Sequence, residues 1–118
     1  MAEQESLGQF EQLVLTAILA LGEEAYGVTI HNKVQELSRP KPVALGAVYV
    51  TLDRMEAKGF VSSLLSDPTP ERGGRSKRCY RLEKKGEHAL RESAVIVQRM
   101  WDVLSQQLGP RGRRWRKA

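Results

Sequence analysis

One stretch, residues 44–83, constrains this chain more than any other. A helix-forming run from Ala44 to Lys58 stands directly before two β-patterned segments, 60–66 and 77–83, and the ten residues between those segments are rich in proline, glycine and arginine. Leu45, Val48, Leu52 and Met55 are spaced three, four and three apart, so they share one face of the helix, which is predicted from Leu45 to Lys58. Gly59 follows where a left-handed closing residue is wanted. In the second β segment Tyr80 and Leu82 point one way, and Cys79 and Arg81 point the other. The tip of the predicted hairpin reads Pro70-Glu71-Arg72-Gly73-Gly74-Arg75-Ser76-Lys77-Arg78. A helix must therefore pack by a narrow stripe beside a basic hairpin.

The flanking segments are helical in pattern. Ser6 followed by Gln9 predicts a capping box. Leu7, Phe10, Val14, Ala17, Ile18 and Leu21 then form the stripe of a first helix, which Gly22 ends. A second helix is predicted from Gly27 to Leu37, with Ile30, Val34 and Leu37 facing inward and Val28 at the margin. Arg39-Pro40-Lys41-Pro42 stops it, because proline cannot continue helical bonding. Val43 and Ala44 are expected as a strand of one or two residues. A last helix runs from Lys84 to Leu108. In it Leu90, Ala94, Val97, Trp101, Leu104 and Leu108 are spaced four, three, four, three, four, an a/d seam of nearly three heptads. The expected fold is mainly α with a small β component (α+β): a winged helix-turn-helix over 1–83, with the first helix also in a dimer interface, a dimerisation helix over 84–108, and a basic tail at 109–118. The tail holds five basic residues between Arg111 and Ala118 and is expected to be disordered.

Charge is unevenly placed. Residues 1–60 carry five Lys/Arg against eight Asp/Glu, whereas residues 61–118 carry fourteen against six. That asymmetry suggests a directed contact with a polyanion. The one cysteine, Cys79, allows no intrachain disulfide and fits a reducing compartment. The longest apolar run, Leu13 to Leu21, is far short of the roughly 20 residues a membrane span needs, and the acidic start lacks the pattern of a signal peptide. A cytoplasmic protein with no membrane partner is expected.

The third helix is unusual on its outer side. Gly46, Ala47, Val50, Asp53 and Arg54 lie opposite the core stripe, with Tyr49 on the flank. Small residues at its start let the backbone approach base edges in a major groove about 12 Å wide. Val50 suits a thymine methyl, Arg54 a guanine or a phosphate, and the Tyr49 hydroxyl a phosphate. The plainer alternative is that Tyr49 only packs against the second helix. At the hairpin tip Arg72, Arg75, Lys77 and Arg78 surround Gly73 and Gly74, and guanidinium forks match phosphate. A solvated basic loop is the plainer alternative there. Double-stranded DNA is the expected partner.

With these residues in view, the chain resembles the PadR family of transcriptional regulators. The matching stretches are Leu13 to Ala20, Ala25-Tyr26-Gly27, Gly46 to Met55, Gly59-Phe60-Val61, and Lys77 to Leu82 with Gly86. The resemblance spans about residues 7–105. It implies a homodimer, mostly a repressor, that binds a palindromic operator through the third helix and the wing and pairs through the first and last helices. Val50 stands where proline is common, Cys79 where an aromatic is frequent, and Glu83 where a capping threonine is usual. Some members sense aromatic or lipophilic compounds with a tryptophan on the last helix, and Trp101 holds a comparable place. A seam tryptophan serves equally as dimer core.

No glycine-rich phosphate loop, dinucleotide fingerprint or metal-ligand spacing occurs, and His31 is expected on the outer side of the second helix. The expectation is a regulator without cofactor or metal, not an enzyme. The rival is a winged-helix adaptor whose basic tip meets an acidic partner protein.

Overall fold

Helix α1 (Gln9–Leu21) is walled in on several sides. It lies against α2 (Gly27–Ser38), α3 (Leu45–Ala57), the strand β2 (Arg78–Leu82) and the start of α4 (Lys84–Leu108). A computed structural model describes residues 6–66 and 77–109. Because α1 is covered on more than one side, its buried set is wider than the predicted stripe. Leu15 is as fully buried as Val14 and Ala17. Ile30 and Val34 from α2, and Val48, Leu52 and Met55 from α3, complete the centre. Phe60, Val61 and Tyr80 close one end, and Ala89 joins from α4. The fold is a winged helix-turn-helix, mainly helical, with one small antiparallel sheet.

Helix starts and stops follow local chemistry, with one correction. The α1 cap is Gly8 and not Ser6: the Glu11 carboxylate accepts the Gly8 N–H at 2.9 Å. Starting later leaves Leu7 ahead of the helix, free to bury its side chain, and puts a true negative charge on the first turn. Gly22 takes φ 59° as expected and leads into a single 3₁₀ turn, Gly22–Glu24. At the end of α3, Phe60 N–H bonds Met55 C=O at 2.9 Å and Gly59 N–H bonds Glu56 C=O at 3.0 Å, with Gly59 at φ 81°. This is the Schellman closure, and the apolar contact it favours is supplied by the buried pair Met55 and Phe60.

The sheet pairs β1 (Val61–Leu65) with β2 in antiparallel register, Val61 opposite Leu82 and Leu65 opposite Arg78. The expected strand at Val43–Ala44 does not form. The sheet has two strands, and beyond them Tyr26 makes a single isolated bridge to Cys79, with Tyr80 N–H bonding Ala25 C=O at 2.8 Å. Val43 C=O is instead bonded by the His31 ring at 2.7 Å, so His31 is half-buried and not on the outer side of α2. Leu37 and Leu45, expected inward, stand 47% and 39% exposed, Leu37 in the last turn of α2 and Leu45 at the first position of α3.

The start of α4 is pinned to the turn after α3. Glu83 N–H donates to Phe60 C=O at 2.9 Å, and Lys85 Nζ donates to Lys58 C=O at 2.8 Å. Gly86 is buried there: a Cβ on it would fall 2.1 Å from the Phe60 carbonyl oxygen. A backbone oxygen cannot swing aside. Gly86→Ala is therefore expected to destabilise the fold by about 1–3 kcal/mol through overpacking, which outweighs the roughly 1 kcal/mol of helix propensity gained. Urea denaturation reads the difference, and an unchanged or raised midpoint would contradict this packing.

Candidate nucleic-acid interface

The outer face of α3 is built by exclusion. Val48, Thr51, Leu52 and Met55 turn inward, which leaves Gly46, Ala47, Val50, Asp53 and Arg54 on the outside. Gly46 has open space where a side chain would stand, and Ala47 is exposed. The helix begins after Ala44, whose side chain can cap nothing; Ala47 N–H already donates to Ala44 C=O at 3.2 Å, which leaves the Leu45 and Gly46 amides as the uncapped leading donors. Val50 is 62% exposed, unusual for a valine in a helix with a core face to fill.

Tyr49 and Arg54 are less free than the sequence implies. The Tyr49 ring lies over Gly27 at the start of α2, and a Cβ on Gly27 would meet its hydroxyl at 2.1 Å. Tyr49 therefore packs against α2 while remaining 42% exposed. Arg54, suited by its chemistry to guanine or phosphate, already donates through Nε to Glu11 Oε2 at 3.2 Å. Glu11 escaped sequence reasoning, because 43 residues separate the pair. The Tyr26-Gly27 dipeptide was visible as part of a resemblance, but its purpose, to seat one tyrosine beside another element, was not.

The base of the wing is tied to the same corner. Lys77 Nζ sits 3.7 Å from the Tyr26 ring centroid. Arg78 Nη1 donates to Ser63 Oγ at 2.9 Å, and Ser63 Oγ donates onward to Glu56 Oε2 at 2.7 Å. The arginine is thereby linked through a strand hydroxyl to α3. Arg72, Gly73, Gly74 and Arg75 lie outside the described residues, as do residues 110–118 of the tail. Beneath this chain Tyr80 is buried, and burial pushes its phenol above the ordinary value. Arg78 pulls the other way, while Asp53, Glu56 and Tyr49 add to the rise.

On α4 only Leu90 of the predicted seam reaches the core, and it is half-buried. Ala94, Val97, Trp101, Leu104 and Leu108 are all exposed on the single chain, Trp101 to 60%. Met100, Ile96 and Val103 widen this apolar face. Among the described residues no cluster of His, Cys, Asp or Glu could hold a metal, and no helix is long and apolar enough to cross a membrane.

The model of the transcriptional regulator PadR-like family matches residues 14–92, well over half of the chain. Among solved structures, a PadR family transcription regulator from Clostridium difficile R20291 is 29% identical. It aligns over 86% of this chain and 100% of its own, with a TM-score of 0.68. A PadR-like transcriptional regulator from Bacillus cereus is 25% identical over 81% of this chain and 90% of its own, with a TM-score of 0.62. The ORC1 protein of Aeropyrum pernix, solved in complex with DNA, is 25% identical over 78% of this chain but only 26% of its own length, with a TM-score of 0.60. No protein of curated function matches the sequence.

Two outcomes follow from this geometry. Gly27→Ala should cost less stability than Gly86→Ala, because the Tyr49 ring is a movable end and not a backbone oxygen. In a Tyr49→Ala background its cost should vanish, and a double-mutant cycle by chemical denaturation checks the coupling. The raised Tyr80 phenol sets the second. Above pH about 10 the unfolded chain releases this proton before the folded one does, so stability falls as pH rises toward the native value. Tyr80→Phe should remove that part of the alkaline loss, read as a flatter melting temperature against pH above 10.

Proposed function

The chain belongs to the PadR-like family of transcriptional regulators, and from that premise we propose that it is a homodimeric repressor that grips an inverted-repeat operator. It regulates transcription through DNA and is not an enzyme. The observation that carries the finer reading is the outward, side-chain-poor first turn of α3, where Gly46 and Ala47 leave the backbone bare beside an exposed Val50. A solvated helix face that served no contact would favour long charged residues there. In this reading Gly46, Ala47, Tyr49, Val50 and Arg54 enter the major groove. Arg72, Gly73, Gly74, Arg75, Lys77 and Arg78 follow the neighbouring backbone.

The dimer is supported by the apolar face of α4. Val97, Trp101, Leu104 and Leu108 are large, exposed and in line. Covering each would stabilise a pair by up to about 1.5–3 kcal/mol, far more than a surface residue needs to forgo. Two α3 helices related by the dimer axis would then sit roughly 34 Å apart and read successive major grooves. Trp101 on this face is the residue we assign to contact with a small aromatic or lipophilic effector between subunits.

Selection of bound fragments from a random DNA library is the direct test. The selected sites should be inverted repeats. Arg75→Ala should weaken binding to every sequence alike and flatten the log–log salt dependence by about 0.9. Leu104→Asp should yield a monomer in sedimentation with much lower operator affinity. Weak retention blind to sequence would favour the adaptor reading and end this one.

A further inference from the structure

The ion pair between Glu11 and Arg54 joins the first turn of α1 to the exposed face of α3. Both Glu11 oxygens are engaged: Oε1 accepts the Gly8 N–H at 2.9 Å and Oε2 accepts Arg54 Nε at 3.2 Å. The Glu11 side chain is 14% exposed, against 45% for Arg54. The carboxylate is thus the fixed member, held by the helix it caps, and the guanidinium is the member it fixes.

The atom used matters. A guanidinium offers two edges that match a forked acceptor, one through Nε and one Nη, the other through both Nη atoms. Glu11 occupies Nε, which leaves the Nη1–Nη2 edge without a partner among the described residues. We propose that Glu11 is a positioning residue for DNA recognition, holding Arg54 so that this outer edge meets a forked acceptor on the duplex. Guanine O6 and N7, or two phosphate oxygens, present that acceptor. The inference rests on the reading of α3 as the groove-entering helix.

Two opposing effects make it testable. A carboxylate near DNA repels phosphate, so simple electrostatics predicts that removing its charge tightens binding to every sequence. Holding a long side chain in place before binding removes an ordering cost, so the positioning role predicts weaker binding to the operator. A half-exposed ion pair adds little to folding stability, so its loss should leave the fold intact. Glu11→Gln separates the roles further. Its amide oxygen can still accept Gly8 N–H, while its NH₂ would face Arg54 donor to donor.

The experiment measures affinity of the full-length protein for a selected operator and for a scrambled duplex at one salt concentration, in wild type, E11Q, R54A and the double variant. E11Q should weaken operator binding about 2- to 10-fold, leave the scrambled duplex unchanged or slightly tighter, and add nothing in the R54A background. A 7-deazaguanine scan then separates base from phosphate as the acceptor. Tighter operator binding by E11Q, or the same loss with and without Arg54, overturns the proposal. A silent R54A overturns it too, whereas the reading of α3 falls only if Val50→Asp also leaves operator binding unaltered. In the free protein, the Arg54 Nε–H should give a protected NMR resonance that E11Q abolishes. Exchange as fast as at other exposed arginines would show that no restraint exists.

Discussion

The burial of α1 is the constraint on which the rest depends. Val14, Leu15, Ala17 and Ile18 are shut away beneath α2, α3, β2 and the start of α4, so these elements share one apolar centre. Each apolar side chain removed from water there contributes about 1.5–3 kcal/mol before entropy is counted. That centre also decides what faces outward. The stripe Val48, Leu52, Met55 can satisfy itself only by turning α3 onto the core, and its small face is then presented to solvent. The exposure of Gly46, Ala47 and Val50 is therefore a result of packing and owes nothing to those residues' own preferences.

A second layer of contacts sets angles. Gly59 reverses the chain after α3, and Gly86 lets α4 close onto the Phe60 carbonyl. The wing and the last helix thus leave from one short joint. On the other side, Tyr26 takes a backbone bridge from Cys79 and a cation from Lys77, while its neighbour Gly27 seats Tyr49. The base of the wing, the start of α2 and the flank of α3 consequently form one corner. In the proposed DNA-reading role α3 needs the wing at a fixed distance, and this corner would supply that distance from side chains on both elements.

The far part of α4 obeys different logic. Beyond Ala89 and Leu90 it makes no contribution to the core of its own chain, yet it keeps an apolar face over several turns. In the proposed homodimer a second copy would cover this a/d face. In that arrangement the helix would convert a small domain with a modest core into an assembly that spaces two recognition helices.

The sequence by itself determined the order of the elements, the Val48, Leu52 and Met55 core stripe of α3, the α4 boundaries and the glycine turns, because periodicity and φ preference act over a few residues; that Leu45 lies exposed and Thr51 is buried was decided by packing. The sequence also placed the two strands of the hairpin and the outer face of α3. The tertiary structure alone decided that Glu11 meets Arg54, that Tyr26 bridges Cys79, that His31 turns toward Val43, and that Lys77 rests on Tyr26. Those contacts join residues 12 to 53 positions apart. Local patterns carry no information on such distances, since it is the closure of the core that brings the two ends together.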